Sequence, residues 1–244
     1  MKALILNSGM GSRMGVLTKE HPKCMTDLNA EETILSRQLR LLYEAGITDV
    51  VITTGYYNKV LEDYCYSLGY PLKYHFVFNP IYDQTNYIYS IYCAKDILRN
   101  HDILLLHGDL VFESSVLSDI LAFKNSCMKV SSTAPLPEKD FKAVICDGKV
   151  QKVGVEFFTN AMEAQAMYKL NAKDWNIWLD EIILFCESGN RKCYAEVAFN
   201  QISDRCIVYA YDVQDRLCAE IDNPEDLAII QKKLGNINTT HQNA

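Results

Sequence analysis

The residues Asn7-Ser8-Gly9-Met10-Gly11-Ser12-Arg13 form a small, polar loop directly after the apolar run 3–6. Two glycines let a backbone turn tightly and aim its amides at an anion. Arg13 adds a planar, permanently charged fork for phosphate oxygens, and Lys23, after Pro22, is a second cation for the same loop. Three phosphate-binding patterns compete. A dinucleotide fingerprint, GxGxxG, needs its third glycine one position before Gly15 and an acid at the end of the second strand, where Thr53-Thr54-Gly55 stands. A Walker A string, GxxxxGK[S/T], is absent from the chain. The third pattern is a loop whose amides wrap a nucleoside triphosphate while Arg13 and Lys23 offset its charge. Taken alone, an ordinary strand-to-helix turn with surface cations explains the loop equally well.

Carboxylates supply the complementary chemistry. Asp109 follows the apolar run 103–106 and Gly108. An acid at the carboxyl end of a buried strand suits Mg²⁺, a hard cation that prefers oxygen ligands. Asp222 precedes Asn223-Pro224, a helix start, so it reads either as a helix cap or as a second metal ligand. Together Asp109 and Asp222 could hold one cation between two loops, although neither context is specific alone.

The elements that must position these groups follow from periodicity. Short apolar runs at 3–6, 50–54, 75–78 and 103–106 read as buried parallel strands. Between them, 33–45, 57–68 and 88–98 carry helical spacing, with Gly46 and Gly69 as stops. The alternation predicts a doubly wound, Rossmann-like, three-layer α/β domain with a mixed, mainly parallel sheet, and ligands beyond the carboxyl ends of its strands. The second half predicts a smaller β-rich segment. It holds a hairpin over 142–155 around Asp147-Gly148, strands at 164–170 and 207–211, and helices over 174–187 and from Pro224 to about residue 234. The expected catalytic domain is 1–234, with 235–244 a disordered tail.

Composition narrows the function. The chain has 244 residues and a formal charge of -7, which argues against an extended nucleic-acid or membrane-surface partner but not against a small phosphate ligand. Nine cysteines show no CxxC pair and no zinc spacing, and Cys65, Cys93, Cys146 and Cys186 read as buried thiols of a reducing cytoplasm. No run approaches the length of a membrane span, and the four apolar residues before Asn7 are too few for a secretory signal.

In order along the chain, Gly9-x-Gly11-Ser12-Arg13, Pro22-Lys23, Gly108-Asp109 and Glu220-Ile221-Asp222-Asn223-Pro224-Glu225-Asp226-Leu227 resemble the signature of the sugar-phosphate nucleotidyltransferase superfamily. Asn79-Pro80-x-Tyr82 with Thr85-Asn86-x-x-x-Ser90 is similar to a narrower branch, the small cytidylyltransferases of the phosphocholine and aminoethylphosphonate type. Tyr194-x-Glu196 resembles that branch's substrate-side segment. The resemblance covers residues 1–234.

It implies a Mg²⁺-dependent transfer in which a phosphate or phosphonate oxygen of a small acceptor attacks the α-phosphorus of CTP and pyrophosphate leaves. Arg13 and Lys23 would then offset charge on the phosphates, wrapped by the amides of Gly9, Met10, Gly11, Ser12 and Arg13. Leu6, Asn7, Ser8, Gly55, Tyr56, Asn86 and Ser90 would lie near cytosine and ribose. Asp109 and Asp222, with Glu220 as a further ligand, would hold the metal. Tyr194 and Glu196 would face the acceptor, and Lys142 reads either as a ligand of its phosphate or as a solvated strand residue. No general base is needed, because a phosphate dianion is already nucleophilic. The alternative is a sugar-1-phosphate nucleotidyltransferase using another NTP, although the stretch 113–219 is short for sugar-binding insertions. A non-catalytic nucleotide sensor would be expected to lose Lys23 or a metal aspartate. The partners implied are small molecules, and the sequence leaves room for a homodimer.

Two departures bear on specificity. Asn7-Ser8 stands where the family has small apolar residues. Tyr194-Ala195-Glu196 lacks an aromatic ring expected before the acid, so either Trp175, Trp178 or Tyr168 replaces that wall, or the acceptor is not choline and Glu196 pairs with a primary ammonium; the two tryptophans otherwise read as core packing of an amphipathic helix.

Overall fold

A computed structural model describes residues 1–242, without the side chains of Ser12 and of residues 238–242. Strand β1 (Lys2–Asn7) is buried along its whole length. Successive side chains of a strand point to opposite faces. Leu4 and Leu6 therefore enter one apolar cluster, and Ala3 and Ile5 another. A strand buried on both sides is central, with helices on each face. The chain supplies them in alternation: α1 (Ile34–Glu44), β2 (Asp49–Thr54), α2 (Asn58–Ser67), β3 (Lys73–Phe78), α3 (Tyr87–Cys93), α4 (Lys95–Leu98) and β4 (Ile103–His107). The single helix expected over 88–98 is thus two, because Ala94 leaves helical geometry at φ -91°, ψ 1°.

β1 to β4 are parallel neighbours in the order β3-β2-β1-β4. Leu6 pairs with Thr53 on one side and His107 on the other, so the loops after β1, β2 and β4 leave the sheet together. The rest of the chain adds β5 (Leu110–Phe112), α5 (Ser114–Ala122), β6 (Cys127–Ser131), β7 (Lys142–Cys146), β8 (Lys149–Gly154), β9 (Ala161–Leu170), α6 (Ala172–Glu187), α7 (Ala195–Phe199), β10 (Tyr209–Asp212), β11 (Cys218–Glu220) and α8 (Pro224–Gln242). β9 inserts antiparallel between β4 and β6, completing a mixed nine-stranded sheet. The β7–β8 turn uses Asp147 at φ 50° and Gly148 at φ 72°, the left-handed pair that an Asp-Gly hairpin requires.

Two short strands matter most for the site. β5 and β11 form a separate antiparallel ribbon, pairing Leu110 with Glu220. A 102–112 segment and a 218–222 segment are thereby stitched side by side, and Ile221 N–H donates to Asp109 O.

Two sequence expectations are corrected, and one open alternative is decided for the core. α8 runs on through Gln242, because Ile237 packs with Leu234 and Ile230 onto Met14, Leu28 and Ile34. The backbone of residues 235–242 is therefore helical rather than a disordered tail, and 243–244 lie outside the described residues. Cys146 is exposed at the end of β7, and Cys93 is only half-buried. Trp175, Trp178 and Tyr168 are core residues and not acceptor walls. Each indole N–H donates at 3.0 Å to a backbone carbonyl, of Leu98 and Ala195 respectively, and Tyr168 is buried against Trp178.

Candidate active site

The loops that leave β1 and β4 border a cleft of about 400 Å³. Leu6, Asn7, Ser8, Gly9, Met10, Gly11 and Arg13 form one wall. After Gly11 the chain enters a 3-10 turn, Ser12–Thr18. Gly11 has φ 62°, and a Cβ there would meet Lys23 Cβ at 3.0 Å. This glycine is what lets Lys23 come up against the loop.

The Lys23 ammonium lies between two carboxylates, in contact with Asp109 Oδ2 and 2.9 Å from Asp222 Oδ1. Arg13 reaches the same Asp222 oxygen at 2.7 Å from the rim. Burial works against the Lys23 charge, but Asp109 and then Asp222 outweigh it and hold the ammonium above its ordinary value. Burial likewise opposes ionisation of Asp109, and Lys23 and His107 reverse it, holding the carboxyl below its usual range. Asp222 is free to do this because it is not the helix cap. Asn223 Oδ1 accepts from Asp226 N–H at 2.9 Å and caps α8 itself.

Glu220 faces the cleft beside Asp109 and pairs at 2.8 Å with His107 Nδ1. Burial opposes the imidazolium, but Glu220, with Asp109, carries His107 up to about 9. The ligand atoms of His107, Asp109 and Glu220 lie within 4.8 Å of one another. Asp109 Oδ1 is buried and has no hydrogen-bond partner. An orphaned carboxylate oxygen beside two further carboxylates fits a divalent cation. Asp109, Asp222 and Glu220 are a hard oxygen donor set for such a cation, and His107 Nδ1 is held by Glu220.

The opposite wall is aromatic. Tyr87 stands edge-on to His107 at 4.8 Å and 5.8 Å from Tyr194, and Tyr194 meets Phe141 edge-on at 5.0 Å. Tyr82, Thr85, Asn86, Lys139 and Asp140 complete the lining. Phe141, Tyr87 and His107 together build the aromatic wall beside Tyr194. Nothing in a sequence pattern announces them, because they come from three separate segments.

Several residues expected at the site stand elsewhere. Lys142 is fully buried, its ammonium donating to the carbonyls of Pro137, Glu138 and Asp140, so it does not reach the cleft. Glu196 is buried beneath the wall and accepts from the Tyr87 and Tyr168 hydroxyls, the latter at 2.9 Å. Its carboxylate is engaged from below and does not line the cleft. Ser90 is also buried. It joins Ser8 Oγ at 2.6 Å and accepts from Asn79 Nδ2 at 3.0 Å, tying the β1 loop to α3. Gly55 packs beneath the loop, where a Cβ would stand 2.4 Å from Ser8 O. Tyr56 borders a neighbouring small cleft with Met10, Thr18 and Lys19. The Ser12 side chain lies outside the described residues.

Comparison with known proteins agrees with this geometry. Residues 3–130 match the model of the MobA-like NTP transferase domain. The chain is 30% identical over 216 residues to a CTP:phosphoglutamine cytidylyltransferase of Campylobacter jejuni, covering 86% of this chain and 81% of that protein. It is 33% identical over 104 residues to a choline-phosphate cytidylyltransferase of Streptococcus pneumoniae, a match that spans 43% of each chain. The solved CTP:phosphocholine cytidylyltransferase of Streptococcus pneumoniae superposes with a TM-score of 0.75 over 96% of this chain and 98% of that one, at 23% identity, which establishes a common fold. The family match over half of the chain and the relative covered to four fifths of its length show that the chain belongs to the MobA-like NTP transferase family, as a nucleotidyltransferase.

Proposed function

We propose that this nucleotidyltransferase is a Mg²⁺-dependent cytidylyltransferase. It joins CTP to a small phosphorylated alcohol, amino alcohol, amide or phosphonate and releases pyrophosphate. The observation that carries the reading is Lys23, held by Asp109 and Asp222 at the end of a glycine loop. The similarity to a CTP-using relative over 86% of the chain supports the base and the acceptor class.

The chemistry needs position and charge. The acceptor oxygen forms a bond to the α-phosphorus as the bond to the bridging oxygen breaks, and that electron pair leaves with pyrophosphate. The amides of residues 9–13 cradle the triphosphate, Arg13 offsets charge toward the leaving end, and Lys23 meets the α-phosphate. Asp109, Asp222 and Glu220 would hold Mg²⁺, which supplies charge neutralisation and a template for the two substrates. Asn7, Ser8 and Asn86 present polar atoms to the nucleoside. The Tyr87, Phe141 and Tyr194 wall closes around the acceptor's organic part. Its edges and faces suit a methylated or unmethylated ammonium, or a flat amide.

The catalytic unit is residues 1–234 in a doubly wound frame, with α8 bracing the glycine loop from behind. Unpaired thiols at all nine cysteines favour a cytoplasmic setting. Among the described residues no helix is long and apolar enough to cross a membrane. The acceptors are small molecules, and a homodimer is compatible with this frame.

The test is a pyrophosphate-release screen of four NTPs against phosphocholine, 2-aminoethylphosphonate, phosphoethanolamine, a phosphorylated glutamine, glycerol phosphate and hexose-1-phosphates. The reading requires CTP with a non-sugar acceptor to give the highest kcat/KM. Preference for a hexose-1-phosphate with another NTP would establish the sugar-transfer alternative instead.

A further inference from the structure

The cations of the cleft differ in what they hold. Arg13 and Lys23 are engaged by Asp222 and Asp109, and His107 by Glu220. Lys139 also lines the cleft, is exposed, and makes no ion pair with a described carboxylate. It is therefore the lining cation whose charge is available to a second anion.

Lys139 rides on the irregular loop 132–141 between β6 and β7. The underside of that loop is gathered by one group. The Lys142 ammonium donates to Asp140 O at 3.1 Å, Glu138 O at 3.5 Å and Pro137 O, and lies 4.1 Å from the Phe158 ring centroid. An ammonium has three donors, and three carbonyls of the loop take them. Lys142 is fully buried without a carboxylate in ion-pair contact, a costly placement that an apolar residue would avoid. The same loop carries Phe141, whose edge contact with Tyr194 sets the aromatic wall.

We propose that Lys142 is a positioning residue for acceptor recognition: it fixes the loop so that Lys139 meets the phosphate or phosphonate group of the acceptor. The inference deepens the transferase reading and rests on it. It divides two roles that the sequence left in one residue, with Lys139 as the ligand and Lys142 as the post that holds it.

Steady-state pyrophosphate release tests this with CTP and each acceptor of the screen above, on the wild-type chain and on Lys139→Ala, Lys142→Met, Lys142→Arg and the Lys139→Ala/Lys142→Met pair. Loss of a charge-assisted contact predicts an acceptor KM raised about tenfold in Lys139→Ala, with the CTP KM unchanged. Lys142→Met should raise the acceptor KM similarly, and the pair should cost no more than either single change, because both remove one contact. Hydrogen exchange at amides 137–141 should quicken in Lys142→Met and not in Lys139→Ala. If Lys142→Met loses its circular dichroism, Lys142→Arg and Lys139→Ala decide. An acceptor KM unchanged in Lys139→Ala, a matching rise in the CTP KM, or additive losses in the pair would overturn the inference while leaving the transferase reading intact. A wild-type chain inactive with every acceptor would overturn both.

Discussion

The Lys23 ammonium lies 2.9 Å from Asp222 Oδ1, across 199 residues of sequence. The meeting has two structural causes. Gly11 takes a left-handed conformation that leaves room for Lys23, and the β5–β11 ribbon carries residues 218–222 alongside Asp109. A cation and two acids from three segments are thereby set at the carboxyl ends of parallel strands, where open α/β sheets bind ligands.

Asp109→Asn removes a buried, unpartnered oxygen donor of the carboxylate cluster and one partner of Lys23. Divalent-cation affinity should fall by at least about tenfold, judged by the cost of disturbing metal ligation elsewhere. Titration with Mn²⁺, followed by electron paramagnetic resonance, reads this without turnover. An unchanged affinity would remove Asp109 from the metal set.

Glu196 accepts from two buried tyrosine hydroxyls. Glu196→Ala leaves both unpaired, at about 1–3 kcal/mol for each unsatisfied group, whereas Glu196→Gln keeps an acceptor oxygen. Thermal unfolding should show a markedly lower Tm for the alanine variant than for the glutamine variant. The acceptor KM should also rise as Tyr87 loosens from its wall. Equal Tm values for the two variants would contradict this role.

Gly55→Ala places a Cβ against the Ser8 carbonyl, which is backbone and cannot swing aside. Overpacking of this kind costs about 1–3 kcal/mol. Urea unfolding should show a lower midpoint with an unchanged slope. A midpoint equal to wild type would mean that the β1 and β2 loops are looser than the structure shows.

Asp49, at the start of β2, meets the Lys2 ammonium at 3.1 Å. Burial opposes its charge, but the Lys2 hydrogen bond and charge, with His75 and Lys73, outweigh it and hold the carboxyl below its ordinary 3.8. A depressed carboxyl stabilises the fold above that value and loses its contribution as pH falls through the lower, folded one. The stability gap between wild type and Asp49→Asn should therefore be constant near neutrality and close only below pH 3.8. A gap that closes at higher pH would show that the pair is not what sustains it.

Much of the frame was legible from periodicity. The runs at 3–6, 50–52 and 103–106 are apolar at every position, and such runs are central strands or buried helix segments. The glycine loop, Lys23, Asp109 and Asp222 stood out because each follows or precedes a recognisable boundary. What was hidden depends on long-range contacts. The strand that carries Glu220 has three residues, too short to show a period, so its pairing with β5 was not legible although Glu220 itself was named. Asp222 and Asn223 are both good caps, and only the structure shows that Asn223 does the capping. Lys142 and Glu196 carry the right charges near the right motifs, but their partners lie behind the cleft wall: loop carbonyls for one, tyrosine hydroxyls for the other. Ser90 and Gly55 likewise hold loops together from beneath. The helical 235–242 backbone was missed because its polar composition gives little periodicity, although Ile237 packs against the cluster around Met14.

The most direct measurement of the central claim is pyrophosphate release by Lys23→Ala with saturating CTP and the preferred acceptor, beside circular dichroism to confirm the fold. Charge stabilisation by one preorganised group predicts a kcat lower by about 10²–10³ with native circular dichroism. Near wild-type release from the folded variant would contradict the account, because Lys23 would then have no part in the transfer.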